Sequence, residues 1–122
     1  EATVVEDGPN RNRYITTYFR AEFEVTGAGG FVELDIDLLR DDGAVVYVNG
    51  VEVVRSNMPS GTIDYRTKAS SSIGGRHEDT VHMFTVDASM LVEGTNVIAV
   101  EIHQRGIRSS DISFNLGLTG IV

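Results

Sequence analysis

The sequence predicts an all-β protein, an antiparallel β-sandwich, and three observations carry that expectation. Apolar and polar residues alternate at a period of two in several separate stretches. Turn-forming residues punctuate these stretches, and no stretch sustains the 3.6-residue period of an amphipathic helix. Asn49-Gly50 stands between two β-branched runs, the strongest short-range hairpin signal, because both turn positions need positive φ. At 122 residues the chain fits one domain with one core. Its hydrophobic content of 41% is spread along the length, so a core can form without a staple. Cysteine is absent, which excludes a disulfide framework and thiolate chemistry.

Taken in order, residues 1–13 carry Gly8-Pro9-Asn10 and no periodicity, and read as an irregular lead-in to a single sandwich domain over 14–122. Alternation is clean over 14–25. Ile15, Thr17, Phe19, Ala21, Phe23 and Val25 share one face, while Tyr14, Thr16, Tyr18, Arg20, Glu22 and Glu24 share the other. After the Gly27–Gly30 break, 31–38 alternates again. Val32, Leu34, Ile36 and Leu38 are expected inward, with Glu33, Asp35 and Asp37 in water. The Asn-Gly hairpin covers 44–48 and 51–55. Residues 56–79 are polar and broken by Pro59, Gly61, Gly74 and Gly75, a connection long enough to be functional or mobile. Residues 80–86 return to strand character, and 87–91 read as one helical turn capped by Asp87. Two more strands follow at 97–104, with Ile98, Val100 and Ile102 apolar, and at 112–118. Seven strands of this kind make a sandwich.

If consecutive strands alternate in direction, the connections at 39–43, 56–79 and 105–111 gather at one end. That end collects the polar chemistry of the chain, and loops at one end of a rigid scaffold are where such folds present a site. The expected ligand-binding residues are Arg40, Asp41, Asp42, Arg55, Asn57, His103, Gln104, Arg105, Ser110 and Asp111. The opposite end, with the Asn-Gly turn, the Gly27–Gly30 loop and the 87–95 turn, is short and plain.

Charge and composition exclude several functions. The net charge of −8 repels a phosphate backbone, so nucleic acid is not an expected partner. No run approaches the roughly 20 apolar residues of a membrane span, so membrane insertion is not expected. The chain begins with Glu rather than Met, which reads as a domain cut from a longer protein or as a processed one.

Catalytic constellations are weak. His77, His82 and His103 are not paired at zinc-ligand spacing. His103 with Ser109 or Ser110 would be a base and a nucleophile, but no Gly-x-Ser-x-Gly elbow is present. Glu33, Asp35 and Asp37 form the solvated face expected of a sandwich strand rather than a glycosidase pair. The chain is therefore not expected to be an enzyme. For sugar binding, exposed aromatic faces are the usual platform. There is no Trp, and the four tyrosines are Tyr14, Tyr18, Tyr47 and Tyr65. Tyr14 and Tyr18 lie on the polar register of the first strand, where they would serve as platform or as ordinary packing.

The segments Thr16–Arg20, Arg40-Asp41-Asp42-Gly43, Tyr47–Val53, Asn57-Met58-Pro59, Leu91–Gln104 and Ser109–Phe114 resemble galactose-binding-like, jelly-roll accessory domains of large secreted bacterial proteins. The resemblance implies a jelly-roll sandwich and a non-catalytic carbohydrate-binding module at the cell surface or outside the cell. Its partners would be a polysaccharide or oligosaccharide and the other domains of the parent protein. The alternative is a structural or protein–protein spacer with no small ligand. The hairpin is also similar to the Asp-Asp-Gly hairpin of protective-antigen-type sugar-binding domains. That similarity implies calcium (Ca2+) held by Asp41 and Asp42, and Asp111 could join them from the same end, since calcium takes six to eight oxygen ligands. Read without it, Asp41-Asp42-Gly43 is a turn, in which Asp bonds its own backbone and Gly accepts positive φ.

Overall fold

The Asn49-Gly50 turn forms as its sequence dictates, with φ of 50° and 82°. It joins β4 (Gly43–Val48) to β5 (Val51–Ser56). The computed structural model describes residues 2–6, 16–40, 42–70, 81–104 and 114–122. Around the central hairpin lie β1 (Ala2–Glu6), β2 (Thr16–Val25), β3 (Glu33–Arg40), β6 (Val81–Asp87), β7 (Gly94–His103) and β8 (Phe114–Ile121). The antiparallel pairings are nested: β4 with β5, β3 with β6, β2 with β7, and β1 with β8. Further pairings of β3 with β8 and of β4 with β7 knit these into two four-stranded sheets, β1-β8-β3-β6 and β2-β7-β4-β5. Eight strands in two packed sheets, ordered this way, are a jelly roll, which is an antiparallel β-sandwich.

The inward faces follow the alternation. Leu34, Ile36 and Leu38 of β3 and Leu116 and Leu118 of β8 meet Ala44, Val46 and Val48 of β4 and Ile98, Val100 and Ile102 of β7. Phe19, Ala21 and Phe23 of β2 close the flank of this core. Each fully buried aliphatic side chain contributes about 1.5–3 kcal/mol.

Several expectations need correction. The described strands number eight rather than seven, because residues 2–6, expected to be irregular, pair along β8 from Ala2↔Thr119 to Glu6↔Asn115. Val32 is 68% exposed rather than inward, since β3 begins one residue later and the core is reached at Leu34. Segment 87–91 is a single turn capped by Asp87 as expected, but it closes with an i to i−3 bond rather than an α-helical one. Asp87 Oδ1 accepts the Ser89 N–H at 2.7 Å, and the Leu91 N–H reaches only back to Ala88 O at 3.1 Å.

The Asn-Gly turn is clasped to its neighbour by two amides. Asn96, fully buried, accepts from Val92 N–H at 2.9 Å and from Asn49 Nδ2 at 2.8 Å. Its own Nδ2 donates to Val92 O at 2.8 Å and Gly94 O at 3.0 Å. Asn49 completes the clasp, accepting from Val97 N–H and donating to Met90 O. Nearby, the exposed Glu93 carboxylate accepts the N–H groups of Gly27 and Ala28, which hold its pKa below the usual carboxylate value.

Candidate functional site

Strict alternation of strand direction places the ends of β3, β5 and β7 together, as the chain order implied. Arg40 pairs with Phe114, and Gly43 pairs with His103. Of the residues expected to bind ligand there, Asp41, Arg105, Ser110 and Asp111 lie outside the described residues. Of the others, Arg40, Asp42, His103 and Gln104 lie inside the protein, while Arg55 and Asn57 are half-buried. Arg40 and Asp42 are buried, His103 is fully buried and Gln104 is 1% exposed. Arg40 Nε donates to Ser56 Oγ at 2.6 Å and its Nη1 to Asp42 O at 2.6 Å. Asn57, at φ of 53°, donates from Nδ2 to the same Asp42 carbonyl at 3.1 Å. Arg55 pairs with Glu52 at 2.8 Å and donates to the carbonyls of Pro59 and Gly61, so it anchors the following loop. Within this described set, Arg40, Arg55, Asn57 and His103 are engaged with neighbouring side chains or the backbone.

Two of the three expected calcium ligands, Asp41 and Asp111, lie outside the described residues. Among the described residues no group of three or more Asp, Glu, His or Cys could hold a metal ion.

What covers the outer side of this corner is the 57–70 segment, which lies across the outer face of the β2-β7-β4-β5 sheet. Gly43, Val45 and His103 point outward by strand alternation, yet all are buried. A Cβ at Gly43 would stand 2.6 Å from Met58 Sδ and 2.7 Å from Asn57 O, so only glycine admits the crossing. The segment is tied down by Ala69 N–H to Gln104 O, by the Thr16 hydroxyl to Tyr65 O at 2.8 Å, and by His103. The Thr16 hydroxyl is spent on Tyr65, so His103 Nδ1 is the donor to Thr67 O at 2.6 Å. Its Nε2 lies 2.9 Å from Glu101 Oε1.

The Gln104 amide is buried on the inner side, and neither its oxygen nor its nitrogen has a partner among the described residues. A buried unsatisfied amide costs about 1–3 kcal/mol. Gln104→Met, of similar volume, is expected to raise stability by about 1 kcal/mol, read as a melting temperature higher by a few degrees. A lower melting temperature would show that the amide is satisfied in solution.

Where the 57–70 segment stops, the outer sheet face opens into a trough. One row across the sheet is Arg20–Ala99–Tyr47, and the next is Tyr18–Glu101–Val45. Arg20 and Tyr47 stand two strands apart, about 10 Å by ordinary sheet spacing. The small Ala99 between them leaves the floor low. Two adjoining hollows result, of about 450 Å3 toward Asn49, Gly50 and Val97 and about 320 Å3 toward Tyr18, sharing Arg20, Tyr47, Ala99 and Glu101. Tyr18 is 58% exposed, and Tyr65, from the covering segment, is 60% exposed with Arg66 over one ring face at 5.3 Å.

The electrostatics of the trough are set by Glu101. Partial burial, then the Glu101 charge and a hydrogen bond to Glu101, push the Tyr47 phenol up to about 12, with Glu52 adding to the effect and Arg55 opposing it. Tyr47 thus remains a neutral donor at any ordinary pH. Burial first, then Glu101 and Asp64, also raise the Tyr18 phenol. Arg20, exposed in the trough, has no hydrogen-bond or ion-pair partner among the described residues. The trough therefore offers aromatic faces, an uncommitted donor fork and a carboxylate acceptor. The polar register of the first strand pointed to Tyr18; Tyr47 and Ala99 carried no comparable signal, because only the β4–β7–β2 register places them side by side.

No protein-family model matches this chain, and no curated protein matches it. Among solved structures it is similar in fold to part of a beta-glucosidase from Kluyveromyces marxianus in complex with glucose. The TM-score is 0.53 at 10% identity, over 98% of this chain and 13% of that one. More distant likenesses are to a beta-D-mannosidase from Dictyoglomus thermophilum (TM-score 0.49, 12% identity, 86% of this chain and 16% of that) and a GH31 alpha-xylosidase from Xanthomonas citri (0.39, 17%, 87% and 12%). The last two are too remote to carry an argument. This chain spans less than a fifth of each enzyme's length.

Proposed function

We propose that this chain is a non-catalytic carbohydrate-binding accessory module of a larger secreted protein, and that it holds sugar in the trough on the outer face of the β2-β7-β4-β5 sheet. The observation that carries this is the meeting of Tyr18 and Tyr47 on one face with Glu101 and with Arg20, which has no partner among the described residues. Apolar ring faces suit the C–H side of a pyranose. Arg20 can only donate and an ionised Glu101 only accept, so together they match the mixed donor and acceptor character of sugar hydroxyls. The fold shared with a small part of a beta-glucosidase supports a place beside a sugar-processing enzyme. Glu101 is a poor candidate for acid–base chemistry, since His103 and Tyr47 already engage its carboxylate.

The test is affinity electrophoresis and calorimetry against soluble neutral polysaccharides. Tyr18→Ala is expected to weaken binding about tenfold, the loss of roughly 1.4 kcal/mol of stacking, without lowering the melting temperature. Equal affinity in that variant removes the trough from the proposal. Affinity abolished by a calcium chelator would move the site to the corner of Asp41, Asp42 and Asp111. A spacer role is favoured by a different observation. Val81 and Met83 on the edge strand β6 are exposed, and an apolar edge is a surface for protein contact.

A further inference from the structure

We propose, resting on the carbohydrate reading above, that the trough receives the terminal unit of an uncharged glycan chain rather than a stretch of its interior. The shape of the trough carries this. Toward Asn49 and Gly50, at the hairpin turn, it is open among the described residues. In the other direction it stops at the Glu101 row. Val45 in that row, and Gly43 and His103 beyond it, are sealed by the 57–70 segment. That seal is fastened at three points, from Thr16 to Tyr65, from His103 to Thr67 and from Ala69 to Gln104. A chain entering past the Asn-Gly turn therefore meets a wall. The open floor from Val97 to Glu101 is about 13 Å long at the rise of an extended strand, room for only a short run of rings.

The recognising groups crowd the blind end. Tyr18 and Glu101 form the last open row, Asp64 lies close enough to act on the Tyr18 phenol, and Tyr65 stands on the wall itself. A terminal ring has a hydroxyl that an interior ring uses in its glycosidic bond. Glu101, on the floor at the wall, is placed to accept from such an additional hydroxyl. Charge argues for a neutral ring. Arg20 is the lone uncommitted cation among the described trough residues, while Glu101 shares the trough and Glu22 and Glu24 lie on Arg20's own strand face. A uronate would meet more like charge than opposite charge.

The test uses the whole chain in calorimetry with three probe sets. These are linear neutral gluco- and manno-oligosaccharides from disaccharide to hexasaccharide, cyclic gluco-oligosaccharides, which have no ends, and linear oligogalacturonates. The expected result is an affinity that levels off by the trisaccharide, with cyclic and uronate probes about tenfold weaker or worse. Ala99→Phe, which fills the floor, is expected to abolish binding with an unchanged far-UV circular dichroism spectrum. Affinity rising about tenfold or more from trisaccharide to hexasaccharide, or cyclic probes binding as well as linear ones, would overturn end recognition while leaving sugar binding intact. Preference for oligogalacturonates would overturn the neutral ligand. Binding by no member of any set would overturn carbohydrate binding itself, and this inference with it.

Discussion

Gly43→Ala is expected to lower stability by about 2–3 kcal/mol, a fall in melting temperature of roughly 6–12 °C for a domain of this size. The added Cβ meets Met58 Sδ at 2.6 Å, Asn57 O at 2.7 Å and Ala69 Cβ at 3.0 Å. Methionine can swing aside, but the Asn57 carbonyl cannot move freely. It accepts the Ser70 N–H at 2.9 Å, and the Asn57 side chain is bonded to Asp42 O. The strand cannot yield either, since Gly43 is paired with His103. Relief must come from lifting the 57–70 segment, so limited proteolysis within it should accelerate in the variant. A Gly43→Ala protein as stable and protease-resistant as the parent would show that this segment does not lie against β4.

Asn96→Ala should cost about 3 kcal/mol, read by urea denaturation as a lower midpoint at unchanged slope. Four hydrogen bonds disappear, and part-buried partners at Val92, Gly94 and Asn49 lose their bonds to the amide. Cavity formation adds little, because the lost side chain is short. Asn96→Asp separates the two halves of the interaction. It preserves the acceptor for Val92 N–H but sets a carboxylate against the carbonyls of Val92 and Gly94, so it should be at least as damaging. Near-parent stability in the Asp variant would mean that the donors of Asn96 are not engaged.

The fold was legible because its signals are local. Asn49-Gly50 dictates its own turn, and the alternation in 16–25 and 33–40 announces which face is buried before any partner is known. β1 was not legible. Thr3-Val4-Val5 is too short to show a period, and it forms strand only because β8, from the far end of the chain, offers an edge. Val32 was misplaced for a related reason, since alternation gives the phase of a strand but not the residue at which it begins.

The candidate site was legible only in part. Arg40, Asp42, His103 and Gln104 are residue types of the surface, although Gln104 shares the strand phase of Ile98, Val100 and Ile102. Arg40 and Gln104 carry on the inward phase of β3 and β7 and are buried between the sheets. His103 is covered by the 57–70 segment, whose polar composition reads as an exposed loop although Met58, Ala69 and the bare face of Gly43 make it a packed cover. Tyr18 was identified by its register on one strand. The trough needed three strands in register, and Ala99 matters there for what it lacks, a property no motif announces.

The nested order of the strand pairs has an entropic consequence. Were Thr3 to find Leu118 in an otherwise unstructured chain, nearly the whole polymer would have to close as one ring. With the innermost pair in place, each later pair need only close the connections beside the pair already made, and the chain-length penalty, logarithmic in ring size, shrinks to that of short segments. The molecule can thus be assembled like a zip fastener from its middle, although its final contacts are among the most distant the chain contains.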